Sequence, residues 1–181
     1  MKNIIMTALV LLLAASLRAQ ITGVSLKAGG LTCSMCSKAV WNALQKVPFV
    51  AKVDVDIKSQ QYNIVFKDTA AIDLDALQKA VQDAGFSVVA LSVTAQVHDL
   101  AAQKDQHLLI SHQYFHFLNA TGQQLDGTIH FTVVDRTFTS ARNYKKYSSL
   151  SSMSCVQTGK IAACCAKKGL AGQTRIYHAI I

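Results

Sequence analysis

The chain contains no glutamate; all ten of its acidic residues are aspartates. That absence excludes the Glu-dependent zinc-protease helix, an EF-hand closed by its usual Glu, and a glycosidase built on a Glu pair. Charged residues are scarce at 15%, but 51% of the chain is hydrophobic, which is not the composition of a disordered protein. Five cysteines in 181 residues are too few for a disulfide-dense miniprotein and enough for one or two sites. Because their number is odd, any intramolecular pairing leaves at least one thiol over. Proline occurs once, at Pro48. The length suits one ordinary domain or two small ones.

Long apolar runs are missing too, except at the start. Met1-Lys2-Asn3 gives a short positive region, Ile4 to Ala15 is almost unbroken apolar sequence, and Ser16-Leu17-Arg18-Ala19-Gln20 closes it. The pattern predicts a secretory signal peptide over residues 1–19, cut after Ala19, and hence a periplasmic or secreted protein. A run of about 12 apolar residues is short of the roughly 20 needed to cross a bilayer, so no membrane span is expected. Loss of Lys2 and Arg18 lowers the formal charge of +8 by two units. The remaining excess sits in residues 96–181, with pairs at Lys145-Lys146 and Lys167-Lys168. No basic run exceeds two residues, and we read this as a solvated face, with no nucleic-acid partner.

From Gln20 onward, strand-like and helix-like periods alternate. Val24 and Leu26 share one face of a strand over Ile21–Lys27, and a glycine loop, Ala28 to Thr32, follows. Cys36, Val40, Leu44 and Val47 recur at helical spacing, and Pro48 ends that helix. Val53, Val55 and Ile57 alternate with polar residues, as do Tyr62, Ile64 and Phe66. Ile72, Leu74, Leu77, Val81 and Ala84 form a second helical stripe closed by Gly85, and Phe86–Leu91 reads as a fourth strand. The order β-α-β-β-α-β predicts an α+β, ferredoxin-like domain over residues 20–95. Residues 96–181 read as a mostly β C-terminal domain, or a β extension of the first sheet, with a small barrel as one form it can take. Within it, Asp126-Gly127 is read as a turn, Ser140–Tyr147 as a short helix and Thr174–Ile181 as a closing strand.

The chemistry concentrates in Gly30-Leu31-Thr32-Cys33-Ser34-Met35-Cys36, at the junction of the first strand and first helix. Thiolates, not thiols, bind metals, and a helix N-terminus stabilises negative sulfur through unpaired N–H groups and the helix dipole. Two intervening residues let Cys33 and Cys36 converge on one ion. Two soft donors with no nearby His or carboxylate suit Cu(I) or another soft ion, whereas a structural zinc site wants four ligands. Haem attachment is excluded because Ser37, not His, follows the second cysteine. The rival is a thiol–disulfide oxidoreductase, but such folds place a cis-proline opposite the dithiol, and Pro48 instead ends the helix that Cys36 begins. An inert disulfide is the remaining alternative. Met35 is a weaker candidate as a third, thioether ligand. Trp41 falls off the core face of the helix, and we expect it to be partly exposed.

These residues resemble the heavy-metal-associated domain family, which includes copper chaperones, the metal-binding domains of copper-transporting ATPases and the periplasmic mercury-binding protein. The family pattern Gly-Met-Thr-Cys-x-x-Cys, followed by an apolar residue four positions on and a late Gly-aromatic pair, is matched by Gly30 to Cys36, Val40 and Gly85-Phe86. Leu31 stands where the family has Met, at a buried packing position. Over residues 21–95 the resemblance implies a non-enzymatic protein that binds a soft metal at Cys33 and Cys36. It also implies transfer by thiolate exchange with a partner's Cys-x-x-Cys. Cu(I) is the expected ion and Hg(II) the alternative in the same site.

Three cysteines remain in the tail: Cys155, Cys164 and Cys165. They form a second soft-metal site, a Cys155–Cys164 or Cys155–Cys165 disulfide, or free thiols; a vicinal Cys164–Cys165 bridge is strained. His112 and His116 would share a helix face, but Tyr114, Phe115 and Phe117 argue for a strand, on which residues four apart lie about 13 Å from each other. His98, His107, His130 and His178 show no ligand-like spacing. Asn119-Ala120-Thr121 matches a glycosylation acceptor, a pattern common by chance.

Overall fold

The computed structural model describes residues 19–68, 71–161 and 174–181. The leader up to Arg18, Cys164, Cys165 and Lys167-Lys168 lie outside the described residues.

The N-terminal part follows the expected order. Strand β1 (Gln20–Gly29), helix α1 (Ser34–Gln45), strands β2 (Val50–Asp56) and β3 (Gln61–Phe66), helix α2 (Leu74–Asp83) and strand β4 (Ser87–Ala102) form the β-α-β-β-α-β unit. Helix α1 buries Val40 and Leu44, and α2 buries Leu74, Leu77 and Val81. Both stripes share one core with Val24 and Leu26 of β1, Val53 of β2 and Tyr62 and Ile64 of β3. Asp73 caps α2 by accepting from the N–H groups of Asp75 and Ala76, so two orphan donors of the first turn are satisfied. The indole of Trp41 packs half-buried against this core and donates to the Val53 carbonyl at 2.9 Å, tying α1 to β2.

Strand β4 does not stop at Leu91. Leu91, Val93, Ala95 and Val97 are buried and alternate with more exposed neighbours, carrying the strand to Ala102. It pairs with β1 on one side and with β7 (Gln123–Val133) on the other, so the expected boundary at 95/96 falls inside one strand. Strands β5 (His107–Ile110), β6 (Gln113–Phe117) and β8 (Ile176–Ile180) complete an eight-stranded sheet of order β2-β3-β1-β4-β7-β8-β6-β5. The expected small barrel does not form: β2 and β5 are the two edges of the sheet and do not pair. The sheet nevertheless curls, since Ser111 in the β5–β6 turn accepts through Oγ from Ile21 N at 2.7 Å and donates its own N–H to Ala19 O.

Asp126-Gly127 is not a turn. Gly127 has φ of 75° inside β7, where the pairing with β4 slips between Val97 and Leu100, which makes a β-bulge. The Asp126 carboxylate holds that bulge by accepting from Asp99 N at 3.2 Å and lies 2.9 Å from His98 Nδ1. After β7 come helix α3 (Ala141–Ser148), N-capped by Ser140, and the short helix α4 (Cys155–Thr158). The segment after α4 lies along the start of β8 through the Lys160–Arg175 bridge and the Ile176 N–H to Gly159 carbonyl bond.

Candidate metal centre

The loop between β1 and α1 is shaped by Gly30, whose φ of +84° is costly for any residue with a Cβ. Leu31 beside it packs half-buried on the core, as does Phe86, whose ring would meet a Cβ at Gly30 at 3.8 Å. Thr32 and Cys33 are thereby left at the surface, at the N-terminus of α1.

Cys33 is the N-cap of α1. Its backbone is extended, with φ −152° and ψ 165°, and its Sγ accepts from Cys36 N at 3.4 Å. A sulfur here occupies the position usually held by a Ser, Thr, Asp or Asn oxygen. Cys36 follows one turn later, and the two Sγ atoms lie 3.0 Å apart. Thr32 Oγ1 is 3.9 Å from Cys36 Sγ. No acidic residue occupies the first turn. The Cys36 thiol is held below its ordinary pKa, first by the hydrogen bond with Cys33 and then by the Thr32 backbone, against a small opposing contribution from burial. Cys33 is exposed and Cys36 half-buried, so one sulfur is open to an approaching molecule. Met35 is 71% exposed and points to solvent.

Beneath the pair, the buried Tyr62 sends its hydroxyl to the Ser37 carbonyl at 3.2 Å and fixes the first turn of α1 on the sheet. Burial raises the Tyr62 pKa, and the neighbouring Cys36 charge adds to that rise. With metal–thiolate bonds of about 2.3 Å, linear coordination needs the sulfurs to open to about 4.6 Å. The exposed loop gives Cys33 room for that movement.

Cys155 is fully buried in α4, while Cys164 and Cys165 lie outside the described residues. Among the described residues the neighbours of its thiol are histidines: Cys155 Sγ is 3.7 Å from His107 Nε2 and 3.9 Å from His116 Nδ1. By sequence His107 has no ligand-like spacing, and His116 has only His112 at an interval that a helix would bring together. His112 sits exposed in the β5–β6 turn with φ of 63°. The spacing of nine between His107 and His116 carries no signal until the hairpin register is known.

Residues 25–87 match the heavy-metal-associated domain model. The mercuric transport protein periplasmic component of Shigella flexneri is 41% identical over 63 residues, which cover 35% of this chain and 68% of that protein. A probable copper-exporting P-type ATPase of Archaeoglobus fulgidus is 31% identical over 77 residues, 41% of this chain and 10% of its own. Among solved structures, oxidized MerP from Ralstonia metallidurans CH34 is 38% identical, covering 38% of this chain and 96% of that one, with a TM-score of 0.34. Through this N-terminal region the chain belongs to the heavy-metal-associated domain family.

Proposed function

We propose that the protein is an exported soft-metal carrier that holds Cu(I) between Cys33 and Cys36 and passes it on by thiolate exchange with a partner's Cys-x-x-Cys. The observation that carries this reading is the pair of sulfurs 3.0 Å apart at the exposed N-terminus of α1. Three features suit a carrier. The Cys36 pKa is lowered, which raises the thiolate fraction at a given pH. The donors are two soft sulfurs with no carboxylate in the turn, which selects against hard ions. One sulfur faces solvent, where an incoming thiolate can attack the bound ion without passing through a core. The role is binding and transfer, with no catalytic step. Among the described residues no helix is long and apolar enough to cross a membrane. Export rests on the leader pattern of residues 1–19.

Hg(II) in the same site is the second reading. It is favoured by the 41% identity to a mercuric transport protein, against 31% to the copper-exporting ATPase. Competition separates the ions: the reduced protein is titrated with Cu(I) against bicinchoninate and with Hg(II) against a dithiol. Retention of Cu(I) against millimolar chelator, with Hg(II) surrendered to the dithiol, supports the copper carrier; the reverse supports the mercury reading. Turnover in an insulin-reduction assay, lost in Cys33→Ser, would move the protein to the thiol–disulfide oxidoreductases.

A further inference from the structure

Among the described residues, a cluster of ligating side chains away from Cys33 and Cys36 lies on the opposite face of the sheet. Directly paired residues share a face, and side chains along a strand alternate between faces. Leu26, Leu91, Val133, Ala179 and Phe117 are paired in turn across β1, β4, β7, β8 and β6. All five belong to the core under α1 and α2. His116 and His178, one residue before Phe117 and Ala179, therefore face the other way. There they meet a second core of Leu118, Val134, Cys155, Val156, Ile161 and Ile176.

Long-range pairing assembles this site. The β5–β6 hairpin sets His107 opposite His116, and the parallel pairing of β6 with β8 sets His178 opposite His116. Helix α4 then lays Cys155 onto the row. His107 Nε2, His116 Nδ1 and Cys155 Sγ all lie within 4.8 Å of one another. The two sulfur–nitrogen distances are 3.7 and 3.9 Å. An ion bonded at about 2.3 Å to sulfur and about 2.0–2.1 Å to nitrogen, with angles near 110–120°, separates those atoms by roughly 3.5–3.8 Å. The side chains already stand close to bonding positions.

We propose that His107, His116 and Cys155 form a second metal site, a three-coordinate nitrogen–nitrogen–sulfur site for Cu(I), separate from Cys33 and Cys36. Charge balance favours the monovalent ion. One thiolate and two neutral imidazoles make a neutral complex with Cu(I), and a neutral complex costs least to bury. His116 is fully buried, so a charged complex there would be costly. Its other nitrogen, Nε2, makes no hydrogen bond among the described residues and lies 3.3 Å from Asp105 Oδ1. Asp105 is itself held by Ser151 Oγ. A carboxylate behind a ligating imidazole is the usual outer-shell support of a metal site. His178 is fixed on the row by Asp135, which lies 2.7 Å from its Nδ1.

The test uses the full chain, reduced, with Cys33→Ser/Cys36→Ser to remove the surface pair. Titration with Cu(I) against bicinchoninate should still find one tightly held ion, and copper X-ray absorption should show nitrogen together with sulfur around it. Adding Cys155→Ser should abolish that binding. Adding His107→Gln, at a half-buried strand end where folding is least affected, should weaken it at least tenfold with an unchanged circular dichroism spectrum. No bound Cu(I) in the Cys33→Ser/Cys36→Ser protein would overturn the site. So would a sulfur-only copper shell that His107→Gln leaves unchanged, or retention of Zn(II) in preference to Cu(I). The proposal does not rest on the Cys33/Cys36 reading. Failure of that reading appears instead as unchanged binding on loss of the surface pair.

Discussion

The backbone N–H of Cys36 donates to Cys33 Sγ at 3.4 Å, so the first thiol of the pair caps the helix that carries the second. Structure and chemistry are therefore joined at one side chain, and substitutions there separate them. Cys33→Ser keeps a capping atom, whereas Cys33→Ala does not. We predict that Cys33→Ala unfolds in urea at lower stability than Cys33→Ser by about 1 kcal/mol, the usual value of an N-cap. Equal stabilities would show that Sγ does not act as a cap.

The same contact governs reactivity. The Cys36 pKa is lowered, with Cys33 as the largest cause. A lowered pKa leaves more thiolate at a given pH, so alkylation of Cys36 by iodoacetamide, followed by mass spectrometry on the reduced apo protein, should reach half its maximal rate below the pH found for free cysteine. In Cys33→Ala the midpoint should move back up. A wild-type midpoint at or above that of free cysteine contradicts the geometry.

Arg175 binds the two halves of the chain together. Its Nε lies 2.8 Å from Asp75 Oδ2 in the first turn of α2, its Nη2 3.3 Å from Asp135 Oδ2, and its guanidinium 4.2 Å from the centre of the Tyr177 ring. The side chain is about one-third exposed, so Arg175→Ala should cost about 2 kcal/mol, between the values for exposed and fully buried pairs. Because β4 pairs with both β1 and β7, that loss should shift a single unfolding transition, followed equally by Trp41 fluorescence and far-ultraviolet circular dichroism. Two separated transitions would show that residues 20–95 and 96–181 fold independently.

Much of the N-terminal half was legible in the sequence because its signals are local. Cys33, Cys36, Val40 and Leu44 sit within one strand–loop–helix junction, and their spacing alone predicts the helix face and the converging sulfurs. The continuation of β4 was equally readable, since Leu91, Val93, Ala95 and Val97 alternate past the expected end at Leu91. Asp126-Gly127 misled, because a glycine at positive φ serves a bulge as well as it serves a hairpin turn. The actual β5–β6 turn is Ser111-His112, with φ of 48° and 63°, and neither residue is a strong signal for that conformation. The contact of His107 and His116 with Cys155 depends on this turn's register and on the docking of α4. The pairing of His116 with His178 joins strands 62 residues apart in a parallel ladder. No spacing in the sequence encodes those contacts.

The proposed role of Cys33 and Cys36 is to hold the transferable ion. It is tested most directly by the Cu(I) affinity of the full reduced chain with and without Cys33→Ser/Cys36→Ser, measured against a chromophoric chelator at fixed pH. Two bound ions are expected in the wild type, and the loss of one in the variant. Only the wild type should deliver Cu(I) to an added Cys-x-x-Cys domain. Equal stoichiometry, affinity and delivery in both proteins would contradict it.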